Sequence, residues 1–463
     1  MSITNNTTIS AFGRESISLL RLSIPIFIGQ FCTQALGLID SIMAAKVSDV
    51  DLAAISLGST YWGPLLLFSL GITFALAPIT AQLKGSGEPH RIPRMTFNAI
   101  YPVLISTAVV ILIITTTPRY LLSLTGSDPA LIAKTCSYLN YVAFGLPAIA
   151  LYNVLKNTVE GLSITTPAMV IAIVAVFLNI PLNYILIYGK FGLPAMGAVG
   201  CGLATAVVGW FLFFSMLAYC RFGAKVKNFH LLQKWQAFNL KATKQLCRVG
   251  LPISGALVLE TFSFCIIGYL ITNFGSKAVA AHQIANVLCV LVFMIPASFS
   301  NAISIRIGLS LGENSIPRVM RSVKTGLTLA VGTVLTSAVI VYSCRYDIIS
   351  VFSLDPEITK LALPLFICLF VYQLQDGFFG TSQGILRGFR DTKILMLINL
   401  IVLWPLVMPL GCVIAFTDFF GAKAGMYGLW GTLVGGYYLI TLLMWLRSFW
   451  LLKHASRYTG KLQ

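Results

Sequence analysis

Acidic side chains are scarce in this sequence. Fifteen Asp and Glu stand against 32 Lys and Arg, and charged residues of both signs make up only 10% of the 463. With 57% hydrophobic residues and a mean hydropathy of +0.86, too little polarity is left to cover a soluble surface. Other absences narrow the function. No G-x-x-x-x-G-K-[ST] occurs, so an ATP-driven motor would lack its phosphate loop. No H-E-x-x-H or equivalent nucleophile-and-base arrangement occurs, which argues against an intramembrane enzyme. The ten cysteines contain no C-x-x-C and form no metal-spaced cluster with the four histidines, so they read as free, buried thiols, and no cofactor is expected. The first fifteen residues carry no cleavable signal pattern, so the first apolar run reads as retained.

What is abundant is long apolar runs. They are about 20 to 28 residues long, enough for helices rising 1.5 Å per residue to cross about 30 Å of hydrocarbon. A β-barrel would need shorter, alternating segments. Twelve spans result, from 18 to 43 through 246 to 272 to 425 to 450, and the fold class is an all-α polytopic membrane protein. The net charge of +17 is unevenly placed: 24 of the 32 basic residues fall with the termini and the loops after even-numbered spans. The positive-inside rule then puts both termini in the cytoplasm. The densest cluster, Arg221, Lys225, Lys227, Lys234, Lys241, Lys244 and Arg248, reads as a topology determinant facing anionic lipid, with no nucleic-acid partner. Asn5 and Asn6 match a glycosylation pattern, but on the cytoplasmic side that match is fortuitous.

The chain is also written twice. Shifted by 227 residues, Pro25 falls on Pro252, Ala53 and Ala54 on Ala280 and Ala281, Arg91 and Arg94 on Arg318 and Arg321, and Gly161 on Gly388. Each repeat holds six spans, so both insert in the same direction. Two six-helix bundles related by a pseudo-twofold axis along the membrane normal are expected: 1–220, a basic cytoplasmic linker at 221–248, and 249–463. Such folds place their site near mid-membrane. Pro25 and Pro252, early in the first span of each half, each remove a helix hydrogen bond and are candidate hinges. Gly431 and Gly435 form a G-x-x-x-G, which predicts close helix packing.

Three acids stand inside spans with no adjacent base: Asp40, Glu260 and Asp376. Each belongs to a polar stripe at helical spacing. In the first span Gln30, Thr33, Gln34, Gly37, Asp40 and Ser41 share a face; in the tenth Gln373, Asp376, Gly380 and Gln383 do, with Tyr372 one turn from Asp376. Glu260 and Asp376 fall at similar depth near mid-membrane and can share one cavity. Carboxylates among amide and hydroxyl oxygens suit a hard cation such as Na⁺, or a proton taken up by the acid itself. The acids do not repeat, since Asp376 falls on Ile149, Glu260 on Thr33 and Asp40 on Ile267. Scaffolding shared by the halves would not need that asymmetry.

Stretches along essentially the whole chain carry a family resemblance: "SIPIFIGQFCTQALGLIDSIMAAKV" from 23, "NIPLNYILIYGKFGLPAMGAVGCGLATA" from 179, "GLPISGALVLETFSF" from 250, "YQLQDGFFG" from 372 and "GILRGFRDT" from 384. In order and spacing these resemble the multidrug and toxic compound extrusion transporters, in their bacterial NorM-like branch. The resemblance implies export of organic, often cationic and aromatic compounds in exchange for Na⁺ or H⁺, by a monomer in the bacterial inner membrane. It implies a second-half coupling site at Glu260, Tyr372 and Asp376, with Na⁺ possible at Glu260 and Asp376. A first-half site is implied at Asp40, Asn179, Asn183 and Thr205. Some relatives have Asp at the Asn183 position, so this first-half site could take a metal ion or only a proton on Asp40. Two other readings remain: a flippase for lipid-linked saccharides, which would want a cationic cavity, and an ion channel, which would want a continuous carbonyl filter.

Overall fold

The structure is a computed structural model that describes residues 11–124, 126, 128–232, 236–419 and 423–459; Asn5, Asn6 and Lys234 lie outside them. Twelve helical spans are long and apolar enough to cross a membrane: α1 Ala11–Ala45, α2 Asp49–Gly85, α3 Pro89–Thr116, α4 Pro129–Gly161, α5 Thr166–Tyr188, α6 Ala198–Phe222, α7 Leu240–Phe274, α8 Ser276–Gly312, α9 Ile316–Ser343, α10 Pro356–Gly388, α11 Thr392–Phe416 and α12 Gly425–Lys453. No strand occurs among the described residues. The helices outrun the apolar windows read from the sequence. α1 begins at Ala11 and carries Arg14 and Arg21, because a helix continues through polar residues once its backbone is committed, whereas hydropathy marks only the lipid-buried part.

Local chemistry sets several boundaries. Ser48 caps α2 by accepting from the Asp51 amide at 3.1 Å, Asn239 caps α7 from Ala242 at 2.9 Å, and Asp355 caps α10 from Glu357 at 2.8 Å. That bond and the nearby Lys277 ammonium hold the Asp355 carboxyl below its usual range. α2 is interrupted at Ala75, and α11 passes through a π-turn at Leu403–Val407 that contains Pro405.

Pro25 and Pro252 sit inside continuous helices. Their disrupted turns find parallel repairs: the Thr165 hydroxyl donates to the Arg21 carbonyl at 3.3 Å, and the Thr392 hydroxyl to the Val249 carbonyl at 2.8 Å. Thr165 and Thr392 are themselves 227 residues apart. The same symmetry governs the seam between the halves. A β-carbon on Gly85 would collide with the Leu309 carbonyl, and one on Gly312 with the Gln82 carbonyl, so each pair is the other's image under the repeat. The pseudo-twofold axis therefore passes between α2 and α8 near the face that carries both termini.

That face is where the halves join. Gly71 packs on Ser254, Gly250 on Ile72 and Gly308 on Pro78. The Asn239 amide donates to Asn98, and Glu15 of α1 accepts from Arg306 of α8 and Ser322 of α9. All these contacts lie between mid-depth and the termini face. Toward the opposite, distal face, the core around Ala54, Tyr138, Leu146 and Cys201 is built from first-half residues alone. The two bundles thus meet at one end and diverge toward the other.

Two sequence expectations fail. Gly431 and Gly435 face open space; Gly428 and Gly436 are the ones that pack, on Ile414 and Val407, because the buried face of α12 runs one position out of register with the motif. The ten cysteines are free, but Cys265 and Cys344 are exposed: Cys265 lies on an uncovered face of α7, and Cys344 stands just past the end of α9.

Candidate functional site

In the first half, α1, α5 and α6 converge on Asp40. Asn183 donates to Asp40 Oδ1 at 2.6 Å and Asn179 to the same oxygen at 3.2 Å; the Thr205 hydroxyl donates to Oδ2 at 3.1 Å. Asn183 also donates to Asn179 Oδ1 at 3.0 Å, which fixes the two amides one helical turn apart. All four residues of the first-half set are together. Along α1 the polar stripe is covered at one end only: Asp40 is buried at 6% exposure, whereas Thr33, Gln34 and Gly37 are exposed. At about 100° per residue Thr33 and Gly37 stay within about 60° of Asp40, so it is α5 and α6, whose side chains bond Asp40, that bury the carboxylate. Thr33, the counterpart of Glu260 under the repeat, only bonds its own helix at the Gly29 carbonyl.

In the second half the acids hold separate partners. Glu260 Oε1 accepts from Asn399 of α11 at 2.6 Å and from Gln383 of α10 at 3.2 Å. The other side of the Gln383 amide accepts from Arg387 at 3.2 Å, so a neutral amide lies between carboxylate and guanidinium. Arg387 also reaches Asn301 at 3.5 Å and lies 5.9 Å from the ring of Phe74 in the first half. Asp376 accepts from its neighbour Gln375 at 2.8 Å, and Gln375 accepts from Thr441 of α12. The Tyr372 and Tyr437 rings meet edge to face, 5.1 Å apart at 79°. Gln383 therefore serves Glu260 rather than Asp376, and Gly380 is taken up by packing on Pro296.

Asn399, Gln375 and Arg387 were not singled out by sequence reading. Asn399 carried the clearest signal, a lone amide within the apolar run "LMLINLIVLWP". Arg387 stands in the last turn of α10, yet its side chain is buried.

Among the described residues none of the three acids makes an ion pair within 4 Å; their hydrogen-bond partners are amides and hydroxyls. Several buried oxygens lack a donor: Asp376 Oδ2, Gln373 Oε1, Asn399 Oδ1 and Asn183 Oδ1. A carboxylate moved from water without a counter-charge costs several kcal/mol. Oxygens left over beside it are what a bound cation or proton would satisfy. No cluster of three or more His, Cys, Asp or Glu that could hold a metal ion occurs among the described residues; the donors around the three acids are amides and hydroxyls.

The MatE family model matches residues 25–185 and again 252–413, which are the two repeats. The chain is 36% identical over 425 residues to the multidrug resistance protein NorM of Photobacterium profundum, covering 92% of this chain and 93% of that one. It is 36% identical over 446 residues to the multidrug resistance protein MdtK of Yersinia pseudotuberculosis, covering 96% and 97%. Among solved structures it is similar to the eukaryotic MATE transporter AtDTX14, with a TM-score of 0.87 at 18% identity over 97% of this chain and 99% of the other, a likeness of fold. A duplicated twelve-helix architecture matched in both halves, with relatives this similar over nearly their whole length, makes this chain a member of the MatE family.

Proposed function

We propose that this multi-pass membrane protein is a secondary active multidrug exporter that exchanges organic, often cationic and aromatic compounds for Na⁺ or H⁺ by alternating access. The observation that carries the reading is the pair of acid clusters, Asp40 in one half and Glu260 with Asp376 in the other, each buried among neutral donors with oxygens to spare. A carboxylate so placed is costly when empty and relieved by any cation, so coupling ion and cationic substrate compete for it. Divergence of the bundles at one end gives one of the two access states, and the seam at the other end is what must part to give the second.

Glu260, Tyr372 and Asp376 serve as the second-half coupling site and Asp40, Asn179, Asn183 and Thr205 as the first. Pro25 and Pro252 are the flexible points of the first span in each half. The halves run from 1 to 220 and 249 to 463 around the basic linker, both termini are cytoplasmic, the membrane is the bacterial inner membrane and the unit is a monomer. The basic-residue asymmetry supports the orientation, and cysteine labelling at Ser48 but not at Lys227 in intact cells tests it.

The functional test is efflux of a monocationic aromatic dye from proteoliposomes under a Na⁺ gradient alone and then a pH gradient alone. One of the two drives export, and Glu260→Gln and Asp376→Asn abolish it while the purified variants keep a monodisperse elution profile. Full gradient-driven export by either variant would return that acid to a packing role.

A further inference from the structure

We infer a binding site for an anionic phospholipid on the termini face, between the first turns of α1, the α4–α5 turn and the end of α8. A cavity of about 700 Å³ opens there, lined by three basic side chains from three different elements: Arg21 of α1, Lys225 of the segment after α6, and Arg306 of α8. Their local acid is Glu15, and it is already held by Arg306 through Nε at 2.8 Å and through Nη2, leaving Nη1 over. Among the described residues neither Arg21 nor Lys225 has an acidic partner within 4 Å. The cavity thus holds an unbalanced positive charge.

The opposite wall is built to accept an anion. Ser163, Thr165 and Thr166 line the cavity where the 23-residue helix α5 begins; Thr165 already donates to the Arg21 carbonyl and Pro167 has no amide hydrogen, so the Ser163 and Thr166 hydroxyls and the Thr166 amide are what the helix start offers an anion. The Ser163 hydroxyl is buried with no hydrogen-bond partner, and Ser163 holds a left-handed backbone, φ 64°, that presents it at the turn. Three cations, hydroxyl donors and a helix N-terminus around one space are the chemistry of a phosphate site.

The remaining lining identifies the source of the phosphate as lipid. Ile17, Ile24 and Pro25 of α1 form its apolar side, and Ile17, Ile24 and Phe31, seven residues apart, are 41%, 51% and 50% exposed. This strip leads from the cavity along α1 for about 20 Å. If α1, 35 residues and about 52 Å long, is centred on about 30 Å of hydrocarbon, the Arg21 backbone falls about 5 Å inside its edge, a depth from which the long side chain reaches the headgroups. Basic groups at headgroup level beside an apolar strip fit a phosphodiester with its acyl chain attached; a soluble anion would not need the strip.

The test titrates the detergent-purified full-length chain with dioleoylphosphatidylglycerol, dioleoylphosphatidylcholine or inorganic phosphate, reading the thermal unfolding midpoint. Phosphatidylglycerol is expected to give a saturable rise that the other two do not. Arg21→Gln with Lys225→Gln should weaken its apparent affinity about thirtyfold, from two basic groups each worth about 1 kcal/mol at an anionic surface, and Lys225→Gln alone about fivefold. Lys241→Gln with Lys244→Gln, an equal charge loss at exposed positions of α7, should change it by less than about twofold. Three results would each overturn the site: equal stabilisation by phosphatidylcholine, equal stabilisation by inorganic phosphate, or an equal loss in the α7 control, which would reduce the effect to diffuse surface charge.

Discussion

Breaking the Glu15–Arg306 pair should tilt the molecule toward the state open at the termini face. The pair joins α1 of one half to α8 of the other and is reinforced by Ser322 at 2.7 Å, and its side chains are only 8% and 19% exposed. Parting the seam must separate it. Losing one partner of a fully buried pair costs about 3 to 5 kcal/mol, whereas an exposed pair contributes about 0.2 to 1. At this partial exposure, with the substituted amide still able to accept one bond, about 2 kcal/mol is expected from Glu15→Gln. That is about thirtyfold in the ratio of states, enough to raise a state populated at about 1% to about a quarter of the molecules. The assay is pulsed electron paramagnetic resonance between labels on Asp49→Cys and Asn273→Cys, exposed distal positions in opposite halves, with Cys265 and Cys344 replaced. Glu15→Gln and Arg306→Gln should each bring up a shorter distal distance, and the double variant should add little beyond either one. Unchanged distance distributions in both single variants would refute the claim that this contact holds the seam.

Three other expectations follow from particular contacts. Gly85→Ala and Gly312→Ala push a methyl against a carbonyl across the seam and should each destabilise the distal-open state by about 1 to 3 kcal/mol, read as the same shift in label distances. Arg390 lies between α10 and α11 with φ 62°, and burial beside Arg91 pushes its guanidinium down to about 10, so Arg390→Gly should raise the unfolding midpoint through a net gain of about 1 kcal/mol from relieved left-handed strain; a lowered midpoint would count against it. With two separate acid sites, export of a monocation should be electrogenic: a tenfold ion gradient contributes about 1.4 kcal/mol per ion and about 100 mV adds roughly 2.3 kcal/mol per net charge. Clamping proteoliposome voltage with potassium and valinomycin should change the steady-state dye ratio, Asp40→Asn should flatten that response, and a wild-type ratio indifferent to voltage would refute it.

The sequence by itself determined the number of spans, the duplication and the residue types that can couple to a cation. Those properties follow from terms that act along the chain: about 20 apolar residues must cross the bilayer wherever the helix packs, and a repeat of 227 places Pro252 and Thr392 where Pro25 and Thr165 stand. Asp40, Asn179, Asn183 and Thr205, implied by the family resemblance, did meet, because α5 and α6 stand beside α1. Partnership was decided only in three dimensions. Gln383 lies two turns from Asp376 on the same helix, yet it bonds Glu260 on another; Asn399 stands out as a lone amide in an apolar run, but nothing local ties it to Glu260; and Gly431 with Gly435 matched a packing motif that its neighbours Gly428 and Gly436 fulfil. Helical periodicity assigns a residue to a face to within about 100° of rotation, but which face meets which neighbour depends on the rotation and crossing of twelve helices at once. The seam at the termini face, with Glu15, Arg306 and Ser322 drawn from positions up to 307 residues apart, exists only once both bundles have formed and met.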